Sequence, residues 1–307
     1  MFLKRFPRAV ILTGPTGVGK SRLGVELAEQ LGAEIVSMDS MALYRRMDIG
    51  TAKPGADERR RVSHHLLDVL EPWESASVAW WLKRATACYD DIAGRGQRVL
   101  FVGGTPLYLK ALLYGLFDGP PADAALRKRL AEEADQLGGA ALHARLNHVD
   151  PVSAGRLHPH DVRRVVRALE VWELTGKPIS AFQQQWTAER PADPAADYCL
   201  CLDRPRDELY NRIDARVRQM IADGLLDEVR ALRNLEKPLS REAGQALGYK
   251  ELFAHLDGLG TPEDAVALIQ TRSRNFAKRQ LTWFRHLPEC RMTPAELTFA
   301  RWASRMV

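Results

Sequence analysis

The segment 14–21, Gly-Pro-Thr-Gly-Val-Gly-Lys-Ser, has residue types and a spacing that point directly to chemistry. It matches G-x-x-x-x-G-K-[ST] at every position, between an apolar run at 8–13 and a helical pattern at 20–31. Glycines let backbone N–H groups turn inward, and the helix amino end adds partial positive charge. Lys20 adds a full charge, and the Ser21 hydroxyl is a ligand for Mg²⁺. The predicted site for a diphosphate or triphosphate is Gly14, Pro15, Thr16, Gly17, Val18, Gly19, Lys20 and Ser21.

The residues after the next apolar runs differ from those of an ordinary P-loop ATPase. Such an ATPase needs an acid at the end of a neighbouring strand to hold Mg²⁺. The run 98–102 instead ends in the turn 103–105, Gly-Gly-Thr, and the acid nearest after the loop at a strand end is Asp39. The sequence therefore keeps the phosphate site without the usual hydrolysis apparatus, which points toward group transfer.

Short apolar runs separated by helical patterns indicate a parallel sheet covered on both faces. Strands are predicted at 8–13, 34–37, 98–102 and 198–202. Helices are predicted at 20–31, 124–137, 140–146, 161–175, 207–222, 224–235, 248–256 and 262–285. We therefore predict an α/β fold with a P-loop NTPase-like core, 1–118 and 186–307, and an all-helical insertion domain at 119–185. The best linker candidate is 188–196, which contains two prolines.

Composition narrows the class of protein. The chain is 46% hydrophobic and 27% charged, and no stretch approaches the roughly 18 uninterrupted apolar residues of a membrane span. Cleavage of a signal peptide would remove the strand before the glycine loop, so we expect an untargeted cytoplasmic protein. The four cysteines form no Cys-x-x-Cys pair, which favours reduced thiols over a disulfide framework or metal site. A net charge of +5 permits an anionic partner.

Eight segments together resemble the bacterial tRNA dimethylallyltransferases, in family order and over most of the chain. They are GPTGVGKS at 14–21, SMDSMALYRRMDIGTAKP at 37–54, HHLLDVLEPWESASVAWW at 64–81, GGTPLYLKALLYGL at 103–116, DVRRVVRALEVWELTGKPIS at 161–180, GLLDEVRAL at 224–232, ALGYKEL at 246–252 and TRSRNFAKRQLTWFR at 271–285. Members of this family move a prenyl group from dimethylallyl diphosphate to N6 of adenosine 37 in tRNA. The loop departs from the family, which usually has serine where this chain has Val18.

The resemblance implies roles for residues near the loop. Asp39 would be the general base on the N6 amine, whose lone pair is shared with the purine ring and needs a proton acceptor. Thr105 would orient the same amine, and Arg216 would add to the diphosphate site. Mg²⁺ on Ser21 is the expected cofactor. Two alternatives stay open: Asp39 caps a turn or holds Mg²⁺ through water, and Thr105 satisfies local backbone.

A second group of residues is expected to contact tRNA. The segment 271–285 carries five cations beside aromatic residues and no acid, which suits a surface that follows phosphates. The alternative is a solvated basic face over an aromatic core. With the residues implied by the resemblance, the tRNA-binding set is Asp39, Ser40, Met41, Ala42, Thr105, Arg127, Arg163, Arg164, Val165, Val166, Arg167, Gln245, Ala246, Leu247, Gly248, Tyr249, Lys250, Arg274 and Lys278.

The expected partners are the tRNA anticodon stem-loop and dimethylallyl diphosphate, and we expect a monomer. Adenosine 37 stacks beside the anticodon, so the base must be extruded to reach Asp39. A P-loop small-molecule kinase has the same phosphate loop and is the main alternative, but it gives no reason for the basic segment 271–285. A nucleotide-gated RNA-binding module is a third possibility, and it predicts that Asp39 is dispensable.

Overall fold

The computed structural model describes residues 2–117, 119–183 and 198–294. These residues contain a six-stranded sheet with the order β3-β2-β4-β1-β5-β6, in which every paired strand is parallel. The strands are β1 Ala9–Thr13, β2 Ala33–Ser37, β3 His64–His65, β4 Arg98–Val102, β5 Cys199–Asp203 and β6 Arg291–Pro294. The predicted α/β class with a parallel-sheet core is confirmed.

The central strand β1 shows why the apolar runs could be recognised as strands from the sequence. All five of its residues are buried, and it pairs with β4 on one side and β5 on the other. Its Leu12 lies opposite Val102 and Leu200. A strand buried on both faces reads as a continuous apolar run, whereas β3 and β6 are too short and too polar to give that signal.

The described residues also contain helices in both units. They are α1 Phe2–Arg5, α2 Lys20–Leu31, α3 Ala56–Arg61, α4 Val78–Gly94, α5 Pro106–Tyr114, α6 Ala124–Leu137, α7 Gly139–Val149, α8 Pro151–Ala154, α9 Val162–Thr175, α10 Ile179–Phe182, α11 Arg206–Ala222, α12 Leu225–Arg233, α13 Arg241–Gly244, α14 Tyr249–Leu256 and α15 Pro262–Arg285. All eight predicted helices are present, most of them within one or two residues of the predicted bounds. The longest unpredicted helix is α4, although its buried residues Trp81, Ala85, Tyr89 and Ile92 have helical spacing.

The described residues form two compact units. One, from 2–113 and 198–294, contains the sheet; the other, from 114–117 and 119–183, contains helices and no strand among its described residues. The helical unit has its own core, in which Leu130, Leu146 and Leu169 are completely buried. The linker candidate 188–196 lies outside the described residues.

Two further observations bear on the class of protein. Within the described ranges, no helix combines the length and the apolar character needed to cross a membrane. Cys199 on β5 and Cys290 are buried thiols with their Sγ atoms 3.8 Å apart, and all four cysteines are free.

Candidate functional site

The loop between β1 and α2 depends on glycine at several positions. Gly14, Gly17 and Gly19 have φ values of 142°, 82° and 108°, which L side chains rarely adopt. A Cβ on Gly14 would lie 2.8 Å from the Leu202 carbonyl oxygen, and one on Gly17 would lie 2.7 Å from Ile213 Cγ1. Both the backbone conformation and the available space therefore require glycine at these two positions.

Val18 is the residue at which the loop departs from the family pattern. Its side chain is completely buried in the core beneath the loop, so it packs against the protein. The carbonyl oxygen of Val18 accepts a hydrogen bond from Arg204 Nε at 3.0 Å, and the Gly17 carbonyl accepts one from Arg212 Nε at 3.0 Å. Two arginines thus hold two carbonyl groups of the loop.

Two cations lie beside the loop. Lys20 Nζ donates to the carbonyls of Gly14 and Pro15 at 2.9 and 2.8 Å, and Arg216 Nη2 donates to Thr16 Oγ1 at 2.5 Å. Burial lowers the pKa of Lys20 to about 8; the Asp39 carboxylate opposes this shift and Arg216 adds to it. Burial also lowers the pKa of Arg216. A bound phosphate group would offset the repulsion between these two cations and would stabilise their charged forms.

Arg216 also carries an unsatisfied donor. Its Nε is buried and has no hydrogen-bond partner among the described residues. A buried donor without an acceptor costs free energy, on the order of 1–3 kcal/mol for a neutral group and more for a charged one. An anion held between Arg216 and Lys20 would accept from this donor, which fits the predicted diphosphate site.

Asp39 follows β2, and Thr105 follows β4, so both lie at the same edge of the parallel sheet as the loop. Asp39 Oδ1 accepts from the Met41 N–H at 2.9 Å, whereas Oδ2 makes no hydrogen bond to any described residue. Thr105 Oγ1 accepts from the Ser40 N–H at 3.1 Å. Asp39 therefore caps a turn with one oxygen and keeps the other free to accept a proton.

Most of the predicted catalytic and phosphate-binding residues line one cavity of about 440 Å³. The sequence-predicted residues that line it are Thr16, Gly17, Gly19, Lys20, Ser21, Asp39, Ser40, Met41, Ala42, Thr105, Arg216, Ala246, Leu247 and Tyr249. The loop residues Gly14, Pro15 and Val18 do not line it. The cavity therefore joins the phosphate loop to the carboxylate and hydroxyl at the ends of β2 and β4.

The segment 245–250 only partly faces this cavity. Gln245 and Lys250 are exposed and hydrogen-bonded to each other at 2.8 Å, and neither they nor Gly248 line the cavity. Tyr249 is completely buried, and its hydroxyl donates to Glu228 Oε1 at 2.5 Å. Tyr249 therefore fixes the packing of this segment and does not offer a free hydroxyl to a ligand.

Two of the five cations in the segment 271–285 of α15 are paired with acids on neighbouring helices. Arg274 Nη1 lies 2.6 and 2.7 Å from the two carboxylate oxygens of Asp214, and Arg272 Nη1 lies 2.5 Å from Glu251 Oε1. The segment itself has no acid, but neighbouring helices supply them. Lys278, in contrast, has no ion pair with any described residue.

Lys278 lies at a second cavity, of about 540 Å³. Arg204, Arg206 and Arg285 also line this cavity, and Asp203 is its one acidic lining residue among those described. Lys278 and Arg285 are exposed. This basic cleft, defined by Arg204, Arg206, Lys278 and Arg285, places four cations beside one lining acid, although Arg204 is already paired with Glu208.

The residues of the helical unit that are predicted to contact tRNA fall into three groups by burial and pairing. Val165 and Val166 are buried in the core of the unit, so their side chains pack and do not form a binding surface. Arg127 Nε and Arg167 Nη1 donate to the fully buried Glu170 at 2.9 and 2.5 Å. The exposed cations are Arg163 and Arg164, the latter 3.0 Å from Asp161.

Three residues at the loop were not singled out from the sequence: Arg204, Arg212 and Gln280. Arg212 is four residues before Arg216 on α11, a spacing that places both on one helix face and is a usable signal. Gln280 is 3% exposed, and its Oε1 accepts from the Thr16 N–H at 2.8 Å. It carries no charge and lies far along the chain, so sequence gives no comparable signal for it.

Comparison with known proteins identifies the family to which this chain belongs. Residues 42–287 match the model of a family described as IPP transferase, and residues 7–69 match one described as isopentenyl transferase. A protein from Geobacter metallireducens named tRNA dimethylallyltransferase is 48% identical over 279 residues, which cover 91% of this chain and 89% of that protein.

Solved structures show the same similarity. The full-length tRNA isopentenylpyrophosphate transferase from Bacillus halodurans is 39% identical with a TM-score of 0.68, covering 97% of this chain and 93% of that one. A eukaryotic dimethylallyltransferase, described as acting on tRNA, is 27% identical with a TM-score of 0.74, covering 96% and 75%. Since the first family model spans most of its residues, this chain belongs to the IPP transferase family.

Proposed function

We propose that this chain transfers the dimethylallyl group from dimethylallyl diphosphate to N6 of adenosine 37 in tRNA, giving N6-dimethylallyladenosine and diphosphate. The observation that carries the proposal is the cavity of about 440 Å³ in which Lys20 and Arg216 lie beside the P-loop and Asp39 keeps a free carboxylate oxygen. Transfer of the dimethylallyl group to tRNA is also the activity named for its relatives.

The chemistry follows from what each side of the cavity can do. Asp39 Oδ2 accepts a proton from the N6 amine as the nitrogen forms a bond to the first carbon of the dimethylallyl group. The bond between that carbon and the diphosphate oxygen breaks, and the diphosphate leaves with the electron pair. Lys20, Arg216 and the loop N–H groups stabilise the negative charge that develops on the leaving group. Thr105 is proposed to orient the amine beside Asp39.

The residues present fit a magnesium ion that is bound together with the diphosphate. Among the described residues there is no group of three or more His, Cys, Asp or Glu side chains that could form a protein cage. Mg²⁺ commonly keeps several waters and is held by few protein oxygens plus substrate phosphates. The Ser21 hydroxyl, next to Lys20 at the same cavity, would hold the ion. When bound, the ion would add positive charge at the leaving group.

Exposed cations on each unit are proposed to contact tRNA. Arg163 and Arg164 on the helical unit are proposed to contact the anticodon stem-loop. On the sheet-containing unit, the basic cleft around Lys278 is the stronger candidate for phosphate contacts. Arg274 is the weaker candidate, because Asp214 already accepts from its guanidinium.

This charge distribution predicts a difference between two variants of α15. Lys278→Gln should lower the slope of log Kd against log salt concentration by about 0.7–0.9 for each phosphate contact that is lost. Arg274→Gln, the matched control, should change that slope much less, because the arginine charge is paired with Asp214. Binding of unmodified tRNA at several salt concentrations measures both. Equal changes in the two variants would contradict the assignment of the basic cleft.

The reaction itself is tested with labelled substrates. Incubation with unmodified tRNA, Mg²⁺ and dimethylallyl diphosphate labelled in its prenyl group should place label on one adenosine of the tRNA. Nuclease digestion and identification of the modified nucleoside show whether N6 of adenosine 37 carries the group. Transfer of label only from γ-phosphate-labelled ATP, to a small acceptor, would instead indicate a P-loop kinase.

A further inference from the structure

The side-chain amide of Gln280 joins two parts of the cavity that the proposed chemistry uses separately. Gln280 lies on α15, is 3% exposed and lines the cavity. Its Oε1 accepts from the Thr16 N–H at 2.8 Å, and its Nε2 donates to the Gly104 carbonyl at 2.6 Å. One amide group thus bridges the phosphate loop and the turn after β4.

The turn after β4 leads directly to the proposed acceptor side of the cavity. Gly104 precedes Thr105, whose Oγ1 accepts from the Ser40 N–H, the residue next to Asp39. Hydrogen bonds therefore run from Thr16 through Gln280 to the turn, and from the turn to the segment that holds the carboxylate.

The space around Gly104 shows how tightly this bridge is built. A Cβ on Gly104 would lie 2.8 Å from Gln280 Nε2, 3.1 Å from the Gly14 carbonyl oxygen and 3.2 Å from Lys20 Nζ. The amide and the loop cation therefore meet at the same glycine. There is therefore little free space for the Gln280 side chain to move without displacing the turn after β4.

We propose that Gln280 is a positioning residue that fixes the separation between the departing diphosphate and the attacking amine. This inference rests on the proposed function. Bond formation requires the nitrogen and the carbon to approach to about 3–3.5 Å with the leaving oxygen in line. The loop places the leaving group, whereas Asp39 and Thr105 place the amine. Gln280 holds these two parts of the protein in register.

The two hydrogen bonds explain why the residue is an amide. Glutamine provides one acceptor for the Thr16 N–H and one donor for the Gly104 carbonyl at the same time. Leucine would leave both backbone groups without their partner, which is costly where they are shielded from water. Glutamate would keep the acceptor but face the Gly104 carbonyl with a second oxygen, and it would add negative charge beside the diphosphate.

Steady-state and single-turnover kinetics of Gln280→Leu and Gln280→Glu test the proposal. We expect kcat to fall about 10- to 100-fold, the effect of losing one or two hydrogen bonds that set the geometry. KM for tRNA should change less than about threefold. The matched control is Gln270→Leu on the same helix. Among the described residues, the Gln270 amide hydrogen-bonds only to the Asp214 carbonyl, at 3.2 Å, and kcat of this variant should stay near that of the unmodified protein. Thermal unfolding of each variant separates misfolding from misplacement.

A double-mutant cycle with Thr105→Val distinguishes positioning from a general structural role. If Gln280 acts through the turn, Gln280→Leu should lower kcat by less than about threefold in the Thr105→Val protein, because both changes disrupt the same line of hydrogen bonds. Effects that multiply would overturn the proposal. So would a Gln280→Leu protein that changes only KM, or whose kcat is unchanged.

Prenyl transfer by the protein without substitutions distinguishes failure of this inference from failure of the proposed function. If that protein transfers the prenyl group and the Gln280 variants do so equally well, this inference fails while the proposed function stands. If it transfers no prenyl group, the proposed function fails, and the role assigned to Gln280 fails with it. Should Gln280→Leu not fold, Gln280→Glu, which keeps the acceptor for the Thr16 N–H, provides the same comparison.

Discussion

Asp39→Ala is expected to lower the turnover number for prenyl transfer by about 10²–10⁴-fold, the range for loss of a positioned general base. In the proposed mechanism, Oδ2 of Asp39 at the end of β2 is the proton acceptor, and the amine of adenine is a weak nucleophile until it loses its proton. Affinity for tRNA should fall far less, because one carboxylate contributes little to a surface built on phosphate contacts.

The Asp39→Asn variant distinguishes a role of Asp39 as general base from a role as turn cap. Asparagine keeps an oxygen that accepts from the Met41 N–H, so the turn is retained, but its amide cannot take a proton at neutral pH. Single-turnover rates with saturating tRNA should therefore be as low for Asn as for Ala. An Asn variant with near-normal turnover would show that Asp39 acts only as a cap. Unchanged turnover of both variants would contradict any role of Asp39 in proton transfer.

Lys20→Met is expected to lower kcat/KM for dimethylallyl diphosphate by about 10²–10³-fold, the cost of removing one preorganised donor from a site of developing negative charge. Methionine keeps much of the side-chain volume but neither the charge nor the hydrogen bonds to the Gly14 and Pro15 carbonyls. The dependence of rate on substrate concentration, measured at fixed saturating tRNA, checks this. An equal loss in Lys83→Met, an exposed lysine of α4 that does not line the cavity, would contradict a specific role for Lys20.

The same lysine predicts a dependence of diphosphate binding on pH. In the free protein, burial lowers the pKa of Lys20 to about 8, so the ammonium is increasingly deprotonated above that pH. A bound diphosphate raises this pKa, and binding above pH 8 must then be coupled to uptake of one proton. Affinity should therefore fall, by up to about tenfold per pH unit, as pH rises from 8 toward the raised value. Lys20→Met should lack this decline; a shared decline would assign it to another group.

The acid pairs of α15 show where interpretation from sequence alone reaches its limit. The segment 271–285 contains cations and no acid, and this pattern indicates a basic face. Arg274 forms an ion pair with Asp214, which lies 60 residues away in the chain, and Arg272 forms one with Glu251. Local composition gives the charge of a helix, but the charge that a ligand meets depends on which neighbouring helices pack against it.

The sequence by itself determined the P-loop, the buried strands and the bounds of several long helices, such as Lys20–Leu31 and Ala124–Leu137, although not of α4. Each is specified by residues adjacent in the chain, because glycine conformation, burial on two faces and helical spacing are local properties. Only the tertiary structure decided the pairing of Arg274 and the hydrogen bond by which Gln280 reaches a loop 264 residues away. Such contacts depend on how elements pack, and an uncharged side chain leaves no mark of its partner in the sequence around it.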